Sequence, residues 1–402
     1  MKQVVSRAIA PGVLTLFVLG GCMDAQNLVD SVTGGQVLGI TQESSDLADG
    51  SDEIVDSQTP VVAEASFTDK VQGYGDYRLF KLGACSAGEQ WEIGLSRSSA
   101  PPLIVVLFDQ DQNLLTRRYI SSSTNLTHIL RESTSETYLG VATQASIPTE
   151  VAVSAEKTSG VSVPAPRAQV VYLNFDGGQG VRVHAADPIT FSAFDAADLG
   201  SDYAASTALI QQVIMQTLAD DFAAFNVEFR MSSLGPPAGE YSTLHFGGYA
   251  DSLLGLADSV DEYNSRDGED AIIYVESFSA YSVMRLTPEE MAVMIGNVAS
   301  HELGHLLGLY HTQDPDDIMD TTGTAADLAE SQSFLRARLE NSVFPTGFED
   351  SAGCLALGVG PRAATAKVAA ASRGKVPMHQ VLRRFMKAEM PSACGTCRHL
   401  DD

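Results

Sequence analysis

Positive charge is scarce in this chain. Its 402 residues hold 25 lysines and arginines against 51 aspartates and glutamates, a formal charge of −26. Proteins that coat nucleic acid or anionic lipid through their overall field need clustered Lys and Arg, so no nucleic-acid partner is expected. The few cations are unevenly placed: residues 361–402 carry eight basic and three acidic side chains, which leaves the body more acidic than the total shows. The N-terminal apolar run, Ala8–Gly21, has 14 residues, short of the roughly 20 that a membrane-spanning helix needs. Cysteine and tryptophan are sparse too, at five and one. What is present is a 44% hydrophobic content, ample for real cores, which excludes a fully disordered chain. The length suggests two or three domains.

Residues 1–21 read as a signal peptide: Lys2 and Arg7 precede the apolar run, and Leu19-Gly20-Gly21-Cys22 follows. This string resembles a bacterial lipobox, in which Cys22 is lipidated and becomes the mature N-terminus. The alternative is an ordinary secretory signal with an incidental cysteine. Either way export is expected, with a lipid anchor to the membrane, and Met23 after the cysteine favours the outer membrane or cell surface. Residues 22–62 form an acidic tether, short of large apolar side chains and extended by self-repulsion.

From residue 63 to 157 the pattern changes to short β-rich runs, among them Tyr77–Leu82, Gln90–Leu95, Leu103–Phe108 and Thr137–Ala142, separated by turn signals such as Asp109-Gln-Asp-Gln-Asn113. Several alternate with period two, which predicts an all-β sandwich. The stretch resembles the small pre-peptidase jelly-roll domain of secreted bacterial peptidases. His128 is read as an ordinary residue of its strand. Residues 158–166, with Pro164 and Pro166, form a linker.

Residues 167–350 carry the chemistry. Gln169–Phe175, Val227–Met231, Thr243–Phe246 and Ala271–Glu276 read as strands, and Ser206–Phe225 as a helix with Leu209, Val213, Ile214, Leu218 and Phe222 on one face. This order predicts an α/β subdomain with a mostly parallel, mixed sheet. A second helix announces itself by Thr287-Pro288-Glu289-Glu290, a capping box with proline at its first position, and closes at Gly308.

On its last turns stands His301-Glu302-Leu-Gly-His305. Histidines four apart share a helical face, so both imidazoles can reach one metal ion, with Glu302 offset toward a water at that ion. After the glycine turn His311 can supply a third nitrogen, leaving a fourth position open as in catalytic zinc sites. The complete string from His301 to His311, with Gly308 between, resembles the metzincin zinc signature. That resemblance implies a zinc-dependent metalloendopeptidase acting on protein or peptide substrates, with His301, His305 and His311 as metal ligands and Glu302 as general base. It implies an α+β catalytic domain with an α/β-type upper subdomain, and a methionine turn at Met319 in Asp317-Ile-Met-Asp320 forming an apolar floor beneath Zn2+. Thr321 stands where some metzincins have a tyrosine, and the subfamily stays open between matrixin-like and pappalysin-like. The alternative reading is a catalytically inactive, surface-anchored binding or adhesion lipoprotein.

Other signals are weaker. The loop holding Asp258, Asp261, Asp267 and Asp270 is dense in oxygen ligands and is a candidate for Ca2+, although a solvated acidic loop is the favoured reading. His184 and His245 lack partners at ligand spacing and read as structural. Once Cys22 is set aside, Cys85, Cys354, Cys394 and Cys397 permit two disulfides; a metal or redox site at Cys394-Gly-Thr-Cys397 is the alternative. Residues 351–402 form a basic tail in which Val376–Lys387 can form a short amphipathic helix, expected to dock on the acidic catalytic domain. A monomer is expected.

Overall fold

The computed structural model describes residues 64–97, 102–120, 124–184, 186–251, 253–266, 268–362 and 392–394. The expected signal peptide, Cys22, the tether, Asp267, Cys397 and the amphipathic stretch 376–387 lie outside them.

Eight strands build the N-terminal region: β1 (Glu64–Val71), β2 (Tyr77–Cys85), β3 (Gln90–Arg97), β4 (Leu103–Phe108), β5 (Leu114–Ile120), β6 (Thr124–Ile129), β7 (Thr134–Thr143) and β8 (Thr149–Thr158). They form two four-stranded antiparallel sheets, in the orders β1-β8-β3-β6 and β2-β7-β4-β5. Between the sheets lies a core of Phe80, Leu82, Trp91, Ile93, Leu103, Val105, Leu107 and Val141. β4 is buried along its whole length. Because side chains alternate along a strand, Leu103, Val105 and Leu107 enter that core, while Ile104, Val106 and Phe108 face outward into a second cluster with Tyr310, Leu339, Val343 and Phe344. The outer face of one sheet is therefore a docking surface for the rest of the chain, and it explains why β4 is a continuous apolar run instead of an alternating one.

The C-terminal region holds β9 (Gln169–Asn174), β10 (Gly178–Val181), β11 (Ile189–Phe191), α1 (Thr207–Asp221), β12 (Val227–Met231), β13 (Ser242–Phe246), β14 (Leu253–Ala257), β15 (Asp270–Ile273), α2 (Pro288–Leu306), α3 (Ala325–Leu328), β16 (Arg336–Arg338), β17 (Phe348–Asp350), α4 (Ser351–Gly358) and β18 (Ser392–Cys394). The main sheet runs β12-β9-β13-β15-β14-β18. Its first four strands are parallel, β14 is antiparallel to β15, and β18 is parallel to β14. The molecule is thus α+β, with mixed sheets, few helices and a β-rich N-terminal region.

Helix α1 starts and ends within a few residues of expectation, but its inward face differs. Ile210, Ile214, Thr217 and Leu218 are buried, whereas Leu209 is 39% exposed. Leu209 and Ile210 both fit the 3.6-residue spacing, and packing against α2 selects Ile210. The two helices approach closely at Gly296, where an added Cβ would stand 2.8 Å from Thr217 Cβ. α2 carries both halves of the expected capping box: Glu290 N–H donates to Thr287 Oγ1 at 3.2 Å and Thr287 N–H to Glu290 Oε2 at 2.8 Å. From Met291 onward every residue but Val293 is buried, as befits a helix enclosed on all sides. The core continues past residue 350, since Leu355 and Val359 belong to it.

The expectation of two disulfides is corrected for Cys85 and Cys354, while the Cys394 side chain and Cys397 lie outside the described residues. Cys85 and Cys354 are free thiols: Cys85 sits in the sandwich core and Cys354 packs against the core of the C-terminal region, so separate cores hold them apart.

Candidate metal centre and active site

α2 delivers His301, Glu302 and His305 in its last two turns, and the chain then reverses at Gly308. This residue has φ +101°, and a Cβ there would stand 2.7 Å from Tyr263 N. Only glycine meets both demands. The turn is pinned by Gly308 N–H donating to His305 O at 2.9 Å and Leu309 N–H to Gly304 O at 2.9 Å. It returns His311 to the helix, so that ligand atoms of His301, His305 and His311 all lie within 4.8 Å of one another.

Second contacts set the tautomers. His301 Nδ1 lies 2.8 Å from Ile318 O and His305 Nδ1 2.8 Å from Leu309 O. A carbonyl only accepts, so each Nδ1 carries the proton and each Nε2 presents a lone pair. His301 Nε2 is buried with no hydrogen-bond partner, and His305 Nε2 lies 3.1 Å from His311 Nε2. Burial lowers the basicity of all three rings: His301 falls to about 4, and His305 and His311 lie well below the usual imidazole value. At neutral pH the rings are therefore uncharged, the form that binds metal. Converging buried lone pairs are costly without a cation between them, and a borderline-soft ion such as zinc suits a three-imidazole set. The residues fit the group.

Met319 is fully buried, and a Cβ on Gly304 would stand 2.5 Å from its Sδ. The glycine between the two helical histidines thus makes room for the methionine. Asp317 holds this loop: Thr312 Oγ1 donates to it at 2.7 Å and Leu335 N–H at 3.1 Å. Burial raises its carboxyl to about 6 against those bonds.

Glu302 is fully buried. Its carboxylate lies against the backbone of Gly255 on β14, where any Cβ would collide with Oε1. Gly255 and all of β14 were missed from the sequence; the apolar Leu253-Leu-Gly-Leu-Ala257 was the available signal. Tyr274, which follows β15, also belongs to this neighbourhood: burial first, and then the charge of Glu302, raises its phenol.

The acidic loop does not gather as a metal site among the described residues. Asp258 accepts from His184 N–H and Asp270 N–H, at 2.5 and 2.8 Å. Asp261 accepts from Ser265 and from Arg266 N–H, and pairs with the Arg266 guanidinium. Asp270 lies 3.7 Å from His245, whose Nδ1 meets Asn174 Nδ2 at 3.0 Å. His184 and His245 stand outside the histidine cluster.

The three converging imidazoles thus lie in the C-terminal region, with a β-rich region before it. Residues 167–332 match the family model of matrixin, a peptidase family, which supports a metzincin-type metalloprotease domain there and implies zinc. No curated protein matches. Solved structures that match include a mitogen derived from Yersinia pseudotuberculosis, at 13% identity and TM-score 0.20, covering 24% of this chain and 86% of the mitogen. The pre-peptidase C-terminal domain of a Bacillus anthracis collagenase matches at 11% identity and TM-score 0.20, covering 24% of this chain and 93% of that domain. A periplasmic inhibitor of g-type lysozyme from Aeromonas hydrophila does so at 18% identity and TM-score 0.20, covering 25% of this chain and 99% of the inhibitor. No common fold follows from scores of this size.

Proposed function

We propose that this protein is a zinc-dependent endopeptidase in which Glu302 is the general base. The observation that carries the reading is the convergence of His301, His305 and His311, two of them fixed in the metal-binding tautomer by backbone carbonyls, with Glu302 beside them on the same helix. Bound zinc would supply a Lewis acid that polarises the scissile carbonyl and makes an attacking water more acidic. Glu302 would take the proton of that water and return it to the departing amine. Met319 and Gly304 would keep the histidine pair in register from below. An extended substrate would lie along the edge strand of the sheet, where main-chain bonds give affinity. Thr321 offers no phenol, so Glu302 is the proton carrier of this reading. The protein would act outside the cytoplasm, anchored to the outer membrane or cell surface through a lipid on Cys22.

Glu302→Gln should keep about one zinc per chain and lose at least ~10³-fold in casein cleavage, the scale on which a positioned acid–base group contributes. His301→Ala should lose the metal itself. Wild-type cleavage by the Glu302→Gln protein would overturn the assignment.

A further inference from the structure

The outer edge of β14 is taken by the chain's own C-terminal segment. Ser392 pairs with Leu253 and Cys394 with Gly255, in parallel. Gly255 is the residue on whose backbone the Glu302 carboxylate rests. The strand therefore occupies the main-chain groups beside the candidate base, at the register position that abuts it. With it in place His301 is 3% exposed, and Glu302, His305 and His311 are fully buried. An edge strand exposes unpaired N–H and C=O groups that can pair with any extended peptide, and each such group serves one partner strand at a time. We infer that residues 392–394 are an internal occupant of the peptide-binding edge of β14, and that the C-terminal segment restrains the site until it is displaced. The inference deepens the peptidase reading and rests on it.

Chain length and charge allow the arrangement. The last described residue of the main body, Arg362, is tied beside β12: its N–H donates to Ala224 O at 2.8 Å and its Nε to Phe225 O at 3.0 Å. In the strand order, β12 and β14 stand four places apart, roughly 20 Å at the usual strand spacing. Twenty-nine residues separate Arg362 from Ser392, and an extended chain of that length spans roughly 95 Å. The connection is long enough to round the sheet with slack. Residues 361–402 are basic where the body is acidic, so long-range attraction raises the local concentration of the segment near the edge. An intramolecular strand of only three residues gains few hydrogen bonds, and a longer extended peptide can compete for the same edge.

The test uses the full chain carrying Ala393→Pro, which removes a donor from the strand and disfavours ladder pairing. A chain ended after Arg362 is the second variant, and it keeps the core through Val359. Amide hydrogen exchange at Leu253–Ala257, zinc content and initial casein cleavage are measured on all three proteins. Both variants should exchange β14 amides at least tenfold faster, hold wild-type zinc and cleave casein several-fold faster. A synthetic peptide of residues 387–398 added to the truncated chain should restore protection and lower the rate. Unchanged β14 exchange in both variants overturns the inference and leaves the peptidase reading intact. Faster exchange with an unchanged cleavage rate overturns the restraint. Faster exchange with full zinc and no cleavage by any form upholds the occupancy and overturns the peptidase reading instead.

Discussion

One glycine decides what its neighbours can do. Gly304 leaves a slot for Met319 Sδ, and the histidines on either side of that slot are the two whose Nδ1 protons meet backbone carbonyls. Gly304→Ala should push the methionine away or shift the helix. Overpacking of this kind costs about 1–3 kcal/mol, and with the floor displaced zinc affinity should fall as well. Thermal unfolding and a competitive zinc titration check the two effects separately. His128 shows a different cost. It is buried on β6 at 7% exposure, and burial lowers its imidazole to about 4. The unfolded chain, with an ordinary imidazole near 6.5, binds a proton where the folded chain does not. Stability from this group is therefore fully present above about pH 6.5 and is lost as pH falls toward 4. Between pH 7 and pH 5 the wild type should lose about 2 kcal/mol more than His128→Phe, as read from denaturant midpoints at the two pH values.

At the scale of elements, α2 joins a start signal to a site. Thr287 and His301 are 14 residues apart, roughly 21 Å along the axis. The cap therefore governs stability without touching the histidine cluster. Thr287→Ala should cost about 1 kcal/mol and leave zinc affinity unchanged; a weakened site in that variant would show that the helix transmits fraying over its whole length. β14 has the opposite character, because its value lies in what stands on either side. Glu302 packs on one residue of it, and the C-terminal strand pairs with the same residue.

For the whole molecule, the sandwich and the catalytic region are joined by a shared core. Phe344 enters the outer face of the sheet between Tyr77 and Phe108, with ring centroids at 5.7 and 5.6 Å, and Gly140 on β7 leaves room for it. Glu262 adds a polar knot, accepting from Thr116 Oγ1, Arg117 N–H, Arg118 and Tyr310 OH. Tyr310 precedes His311, so the sandwich touches the chain that carries the third imidazole of the cluster. Burial, and then the charge of Glu262, pushes the Tyr310 phenol well up, which keeps it a donor. Phe344→Ala should cost about 3–5 kcal/mol and separate the unfolding of the two regions; calorimetry should show one transition in the wild type and two in the variant.

Local chemistry was legible in the residues alone. The capping box at Thr287, the helix to Leu306, the turn at Gly308, the four-residue spacing of His301 and His305, and a strand at Leu103–Phe108 all follow from propensity and periodicity within one element. Such signals act over a few residues, so the chain states them directly. The tertiary structure decided where distant segments meet. It chose Ile210 over Leu209 for the inner face of α1, held Cys85 and Cys354 in separate cores, seated Met319 against Gly304, and brought Gly255 against Glu302 and Cys394 into register with Gly255. These outcomes depend on close packing and strand register between segments tens to hundreds of residues apart, and no local pattern encodes which surface will arrive.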